Sequence, residues 1–257
     1  MEWAHAVAPG AKIVYVGMAT FGNEDAVAAV NFVVQENLAS IVSNSWYLDI
    51  ETAPDSDRSI LDPILIQAGL KGIGLYFGTG DEGDNQCASV CPGGPYPGNG
   101  TPNVLYPASS PYITAVGGTS LYLDANGRRA YETGWEAGDS GFTGQPSPLA
   151  WAPSPPGLFY WGAGGGPSQI YPQPRYQRNA VPVSLAGAPP SRVIPDVAMF
   201  ADADSGVWIG LTDPLLGIYQ LKPHWAGTSL ATPLFAATVA LAQQRALHSA
   251  HRGHDLT

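Results

Sequence analysis

The chain has 257 residues, a length near the upper limit for one hydrophobic core, so we expect a single domain, here truncated, over residues 1–257. Its 21 acidic residues outnumber 11 basic ones, and the net charge of −10 argues against a nucleic-acid partner, because phosphate binding needs clustered cations. No apolar run reaches the length of about 18 residues that predicts a transmembrane helix.

The first part of the chain alternates between two kinds of apolar pattern. Apolar residues at helical spacing mark residues 2–8, 24–38 and 55–70. Short apolar runs, typical of buried parallel strands, mark residues 12–18, 41–45 and 72–79. Helices alternating with strands predict βαβ crossovers, and therefore a parallel sheet.

The rest of the chain is loop-rich, with two further elements. Residues 84–111 and 136–195 are rich in Gly, Pro and aromatic residues, and long loops of this kind usually carry function. A strand is predicted over residues 112–121, and a strongly apolar helix over residues 229–247, with Pro233 in its first turn. We expect an α/β fold, with a mostly parallel central sheet, helices on both faces and long Gly/Pro-rich loops.

The strongest chemical signal lies at the start of that last helix. Ser229 ends a Gly-Thr-Ser sequence that begins at Gly227, and Pro233 follows within the next turn. At the amino end of a buried helix, unpaired N–H groups and the helix dipole favour negative charge that develops on a substrate. The pattern fits a nucleophilic serine, and it also fits a serine that merely caps the helix.

An acidic turn follows the strand predicted over residues 72–79. Asp81 and Glu82 lie between two glycines at the carboxyl end of this strand, where the ligand sites of parallel α/β folds form. Asp81 is the candidate functional residue. The alternative is a loop aspartate that binds its own backbone or a cation.

An ordered series of short motifs accompanies these two candidates. The motifs are residues 80–83 (GDEG), 106–120 (YPASSPYITAVGGTS), 164–168 (GGGPS), 174–177 (PRYQ), 195–198 (PDVA) and 227–233 (GTSLATP). Over roughly residues 1–245 they resemble the sedolisin family of serine-carboxyl peptidases, whose fold is subtilisin-like. Subtilisin-like peptidases share the Gly-Thr-Ser pattern, but no histidine here stands in the His-Gly-Thr-His context that they need.

The resemblance implies roles for both candidates. Ser229 would be the nucleophile, and Asp81 would be a protonated carboxyl that donates a hydrogen bond to the tetrahedral oxyanion, which a carboxylate cannot do. The family's catalytic Glu and Asp lie one helical turn apart, and alignment places that Asp immediately before Met1, with the Glu one turn further upstream. We therefore expect Glu2 not to be the catalytic glutamate, and this chain alone to be inactive.

Three further residues are assigned to substrate binding. Ser45 ends the strand predicted over residues 41–45 and Trp46 follows it, at a place where the resemblance implies that the backbone pairs with bound peptide as an added strand. For Trp46, burial in the core is the alternative. Gly165 lies in the glycine-rich motif that resembles the family's own.

The sequence also bears on covalent and metal chemistry. Cys87 and Cys91 lie close enough to close a small disulfide loop, or they remain free thiols. They are not expected to bind a metal, since no second Cys/His pair lies at ligand spacing. The resemblance implies a calcium ion, whose loop would lie beyond the serine helix and outside this chain.

The function expected from these observations is a secreted serine-type endopeptidase, monomeric and active at acid pH, with peptide or protein substrates and neither nucleic acid nor membrane as partner. Its signal and prodomain would lie outside this chain. The excess of acidic over basic residues fits activity at low pH. It fits equally well a protein that is kept soluble by its net charge. Two rivals remain: a non-catalytic peptide-binding remnant, and a truncated subtilisin-like peptidase that would need an upstream Asp and His.

Overall fold

The computed structural model describes residues 1–52, 56–84, 102–137, 141–142, 151–152, 161–203, 206–213 and 215–254. The helices in these ranges are α1 Glu2–Val7, α2 Asn23–Gln35, α3 Ser56–Leu70, α4 Val183–Ala186 and α5 Thr228–His254. All but α4 lie where helical spacing predicts a helix. Within the described ranges, no helix combines the length and apolar character needed to cross a membrane.

Five of the described strands build one central sheet. In chain order the strands are β1 Ile41–Asn44, β2 Asp49–Ile50, β3 Gly74–Gly78, β4 Leu105–Tyr106, β5 Thr114–Leu123, β6 Arg129–Gly134, β7 Glu136–Ala137, β8 Gly141–Phe142, β9 Trp151–Ala152, β10 Trp161–Gly162, β11 Gly166–Pro172, β12 Ser191–Ile194, β13 Val197–Phe200, β14 Val207–Thr212 and β15 Tyr219–Trp225. Strands β1, β3, β5 and β13 are parallel neighbours in that order, and β6 pairs antiparallel with β5. The predicted, mostly parallel sheet is confirmed.

Side-chain alternation along β3 places helices on both faces of this sheet. Leu75 and Phe77 join a buried cluster that includes residues of α2 and α3, whereas Tyr76 joins a second cluster with residues of α5. On that second face, the Tyr76 and Phe235 rings meet edge-on with centroids 5.6 Å apart. Because α5 packs against the middle of the sheet, its first turn lies at the carboxyl ends of the strands.

Outside the central sheet the described strands form short antiparallel pairs, most of them with at least one strand in the long loops predicted from composition. These pairs are β2–β4, β7–β10, β8–β9, β11–β12 and β14–β15. Most of these strands are two residues long, too short for any periodicity to appear in the sequence. The β14–β15 hairpin is longer and leads directly into α5.

The prediction of a buried parallel strand over residues 12–18 is wrong. The segment forms no ladder, and Ile13, Val14 and Tyr15 are 42%, 45% and 77% exposed. The path of hydrogen-bonded strands in the central sheet ends at β1, so this apolar segment has no paired neighbour. Apolar composition indicates that a segment favours burial, but it does not show whether a partner strand is present.

Candidate active site

Ser229 lies in the first turn of α5, where the chain leaves the β14–β15 hairpin. Gly227 makes the turn with φ +90°, and its N–H donates to Ala201 O at 2.7 Å. Thr228 and Leu230 are buried, whereas Ser229 between them is exposed. As one of the first residues of a helix, Ser229 has no intrahelical acceptor for its own N–H. Ser229 is therefore an exposed serine in a helix turn whose N–H groups have no acceptor within the helix.

Asp81 lies against the residue that precedes this serine. Its Oδ1 accepts hydrogen bonds from the Thr228 N–H at 2.8 Å and the Thr228 hydroxyl at 2.9 Å. Burial raises the pKa of the Asp81 carboxyl, although the two hydrogen bonds from Thr228 act in the opposite direction. Two residues that the motifs mark 148 positions apart, Asp81 and Ser229 (229 − 81 = 148), are thus one residue from direct contact.

Close packing of β3 on α5 holds this arrangement in place. The Thr228 hydroxyl also accepts the Gly80 N–H at 3.2 Å. A Cβ on Gly78 would lie 3.0 Å from the Thr228 hydroxyl oxygen and 3.2 Å from that of Thr232. The glycines of the strand end therefore let the helix approach the backbone that carries Asp81.

The glycine-rich segment at residues 162–166 braces the acidic turn from the other side. Gly162 N–H donates to Asp81 O at 2.8 Å, and Gly164 N–H donates to Gly80 O at 2.9 Å. Next to this segment, the buried Glu51 carboxylate accepts hydrogen bonds from the Ser168 hydroxyl and the Gln169 N–H. Burial raises the pKa of Glu51. Gly165, the residue predicted to bind substrate, lies within this brace.

We expect Gly164→Ala to destabilise the protein by about 2 kcal/mol, because a Cβ there would lie 2.0 Å from the backbone oxygen of Thr79. Urea unfolding monitored by circular dichroism measures the effect. Gly134→Ala is the matched control, since an added Cβ meets nothing within 4 Å, and it should change stability by less than about 0.5 kcal/mol. Equal stabilities of the two variants would show that the brace tolerates movement.

Ser45 and Trp46 follow β1 at the same end of the sheet. The Ser45 hydroxyl donates to the backbone oxygen of Ser229 at 3.0 Å, which joins this strand end to the serine helix. The Trp46 ring packs on Phe77 with centroids 5.2 Å apart and an interplanar angle of 87°, at the edge of the first core cluster. Ser45 therefore contacts the serine helix directly, whereas the contact that the structure gives Trp46 is with the core. Substrate binding by both stays a prediction.

Three of the sequence motifs meet at a buried ion pair, away from Ser229. Arg192, fully buried, makes a two-pronged contact with Asp196 at 2.7 and 2.9 Å, and its Nε donates to Ser109 O at 3.0 Å. Asp196 also accepts from the Gln177 amide at 3.2 Å. The motifs that include Ser109, Gln177 and Asp196 therefore serve packing, and Arg192, which no sequence pattern marks, joins them.

Helix α1 lies beside the hairpin that leads to the serine. The Trp3 indole N–H donates to Trp208 O at 2.9 Å, and Glu2 accepts the Gly210 N–H at 3.1 Å. Val207, next to Trp208, pairs with Trp225, which lies four residues before Ser229 (229 − 225 = 4). Glu2 is thus bound to the hairpin backbone, as a structural residue.

The described residues bear on metal chemistry but not on the disulfide. Cys87 and Cys91 lie outside the described residues, so their pairing stays a prediction. Among the residues whose positions are described, no group of three or more His, Cys, Asp or Glu is arranged to hold a metal ion. The calcium ion that the family resemblance implies would have its ligands outside this chain, and it stays a prediction.

Known proteins resemble this chain along nearly all its length. The profile of the Subtilase family matches residues 1–254. Sedolisin of Pseudomonas sp. (strain 101) is 31% identical over 216 residues, and kumamolisin of Bacillus sp. (strain MN-32) is 31% identical over 252. These alignments cover 83% and 95% of this chain but 31% and 38% of the relatives, so the chain spans about a third of their length. Tripeptidyl-peptidase 1 of Bos taurus is 29% identical over 187 residues, which are 69% of this chain and 26% of that protein.

A solved structure supports the same relationship. Pseudomonas sedolisin, a serine-carboxyl proteinase complexed with two molecules of pseudo-iodotyrostatin, matches with a TM-score of 0.64 at 28% identity, over 90% of this chain and 55% of that one. The subtilisin-like architecture predicted from the motifs is confirmed. The chain therefore belongs to the subtilase family, and its likeness to sedolisin and kumamolisin confirms the sedolisin resemblance seen in the sequence.

Proposed function

We propose that this chain carries the nucleophile and the oxyanion site of a sedolisin-type serine peptidase. The observation that supports the proposal most is the pair of hydrogen bonds from Thr228 to Asp81, which holds a half-buried carboxyl beside the exposed Ser229 at a helix amino end. A carboxyl whose pKa is raised by burial, a backbone N–H at a helix amino end and an exposed serine hydroxyl are the kinds of group that acyl transfer needs.

In the proposed mechanism, the Ser229 oxygen attacks the carbonyl carbon of a peptide bond while a glutamate removes the hydroxyl proton. The carbonyl oxygen becomes an oxyanion, which accepts hydrogen bonds from protonated Asp81 and from the Ser229 N–H. The glutamate then returns the proton to the departing amine, and water releases the acyl group from Ser229 by the same route in reverse. Because the base is a carboxylate and Asp81 must be protonated, activity belongs at acid pH.

The glutamate and its orienting aspartate come, in this proposal, from outside the 257 residues. In the part of the chain that the structure describes, no carboxylate hydrogen-bonds to the Ser229 hydroxyl, and Glu2 is engaged with Gly210. α1 packs against the serine helix, and the proposal places the glutamate and the aspartate on a segment that continues α1 upstream. A secreted, monomeric enzyme that acts on peptides or proteins is part of the same proposal. Below, the completed enzyme means these residues preceded in frame by such a Glu/Asp-bearing helix.

Asp81→Ala in the completed enzyme should lower kcat by about a hundredfold, because it removes one donor to the oxyanion. Asp81→Asn should keep partial activity, since the amide retains an N–H donor. Turnover of a denatured protein substrate at about pH 4, with circular dichroism to check folding, measures both. Asp84→Asn, at an exposed residue of the same turn, is the control. Unchanged turnover in Asp81→Ala would refute the oxyanion role, and loss of folding would favour a structural aspartate.

The rival function is peptide binding without hydrolysis. For the chain taken alone this function is favoured, because no described carboxylate hydrogen-bonds to the Ser229 hydroxyl and could act as its base. Both functions predict a peptide bound along the Ser45 and Ser229 edge. They differ in one result, since only the peptidase gains Ser229-dependent hydrolysis when a Glu/Asp-bearing helix is supplied.

A further inference from the structure

The β14–β15 hairpin is irregular just before it leads into the serine turn. Two residues of β15, Pro223 and His224, lie opposite one residue of β14, Trp208. This two-against-one arrangement is a β-bulge, which bends its strand, increases the local twist and often lies next to an active site. His224 is the residue of this bulge nearer to Ser229, five positions before it (229 − 224 = 5).

The backbone of His224 has a conformation that residues other than glycine rarely adopt. Its φ is +64°, in the left-handed region, where Asn, Asp and His occur more often than other non-glycine residues. Such a conformation is unfavourable in itself and persists only where the surrounding structure holds it. The contacts around His224 therefore indicate what the bulge joins.

On one side, the bulge is joined to the segment that follows β13. His224 Nδ1 lies 3.0 Å from Ala203 O, and because a carbonyl oxygen only accepts, the imidazole donates from Nδ1. In the same segment, Ala201 O accepts the N–H of Gly227 at 2.7 Å. A Cβ on Gly206, which precedes β14, would lie 2.8 Å from His224 Cα, so the backbone packs closely there as well. The bulge and the serine turn are thus bound to one segment.

On the other side, the residue opposite the bulge holds the start of α1. Trp208 O accepts the Trp3 indole N–H at 2.9 Å, and the Gly210 N–H donates to Glu2 at 3.1 Å. Glu2 and Trp3 are the first two residues of α1. They adjoin the upstream segment on which the proposed function places the glutamate and the aspartate. The bulge therefore lies between the start of α1 and the serine turn, with contacts towards both.

We propose that His224 is a positioning residue: by holding the bulge in its left-handed conformation, it sets the place of α1, and of the carboxylates upstream of it, relative to Ser229. This rests on the proposed function. A misplacement of about 1 Å between reacting groups can slow a reaction by about a hundredfold, so a fixed bulge between the two elements affects the rate. The Nδ1 contact is available to the protonated imidazole and to one neutral tautomer, so His224 acts here without transferring a proton.

The first test replaces His224 in the completed enzyme. His224→Val should lower kcat by about a hundredfold and change KM by less than about threefold, because a β-branched residue does not tolerate positive φ and the bulge must rearrange. His224→Asn should recover much of the loss, since asparagine adopts the left-handed conformation and keeps an N–H donor. Asn37→Val is the matched control. Asn37 lies just beyond α2, on the other face of the sheet, with φ +50°, so valine creates the same backbone conflict away from Ser229 and should leave kcat unchanged.

The second test uses the 257-residue chain and needs no activity. In ¹H–¹⁵N NMR spectra, the buried Gly227 N–H should exchange with solvent at least about tenfold faster in His224→Val than in the wild type. The Trp3 indole N–H signal, assigned by its loss in Trp3→Phe, should shift in the same variant. Asn37→Val should change neither signal.

An unchanged kcat in His224→Val would overturn the proposal, even if the NMR signals change. Equal losses of kcat in His224→Val and Asn37→Val would also overturn it, because the effect would then be one of stability alone. If the completed enzyme shows no Ser229-dependent hydrolysis, the proposed function is refuted. The NMR result then decides by itself whether His224 holds α1 against the serine turn: altered Gly227 and Trp3 signals support this, and unaltered signals refute it.

Discussion

Ser229→Ala should lower the peptidase activity of the completed enzyme by about a thousandfold or more, since loss of the nucleophile from a catalytic unit leaves only the contributions of the remaining site. Ser229 is the exposed hydroxyl between two buried neighbours, at the helix end where Asp81 is held. Hydrolysis of a denatured protein at about pH 4 measures the loss, and circular dichroism shows that the variant folds.

The comparison needs two controls. Ser43→Ala removes another exposed serine hydroxyl, on β1, and should leave turnover unchanged. The 257-residue chain alone should show no Ser229-dependent hydrolysis, because no described carboxylate serves as its base. Robust cleavage by that chain, abolished in Ser229→Ala, would show that the base lies within the 257 residues. Undiminished activity of Ser229→Ala in the completed enzyme would refute the peptidase mechanism.

The sequence predicts the framework well where a pattern has one physical cause. α2 and α3 are amphipathic, and the residues at helical spacing are the ones that pack on the sheet, such as Val30 and Leu65. β3 is apolar throughout because both of its faces are covered by helices. The segment at residues 12–18 has the same composition but no partner strand, and this difference is not visible within the segment itself.

The sequence predicts which residues are candidates for the site, but it does not predict the contacts between them. The motifs mark Ser229 and Asp81 separately, at the ends of a helix and a strand. Thr228 joins them only because β3 and α5 approach each other closely. The glycines at the end of β3 permit this approach, but the sequence alone does not show that it occurs. Glu82 carries no signal of its own, because an acidic residue in a turn is ordinarily solvated. Its contact with the Asp81 N–H appears only in three dimensions.

Arg192 shows the same limit in the core. Arginine is among the residues least often buried, so no sequence pattern places it inside. Yet its side chain is fully enclosed and bonds to Asp196, to Ser109 O and to the Tyr176 hydroxyl, the last at 2.7 Å. The motifs at residues 106–112, 174–177 and 195–198 resemble a peptidase family, and each places one residue on this arginine: Ser109, Tyr176 and Asp196. The Tyr106 and Ser110 hydroxyls bond instead to Asp62.

Arg192→Met should therefore destabilise the protein by about 3–5 kcal/mol, because it leaves the largely buried Asp196 carboxylate without its counter-charge. The Ala115 N–H at 2.8 Å and the Gln177 amide remain as donors to Asp196, but neither supplies a positive charge. The stability of Arg192→Lys should lie between those of the wild type and Arg192→Met. Lysine keeps the positive charge, but its ammonium group cannot make the two-pronged contact. Urea unfolding gives the free energies, and Arg192→Lys keeps the measurement possible if the methionine variant does not fold.

Arg129→Met is the matched control. It breaks the Arg129–Glu132 pair, whose side chains are 70% and 33% exposed, and it should lower the free energy of unfolding by less than about 1 kcal/mol. A loss for Arg192→Met no larger than that of Arg129→Met would show that the motifs are held by something other than this ion pair.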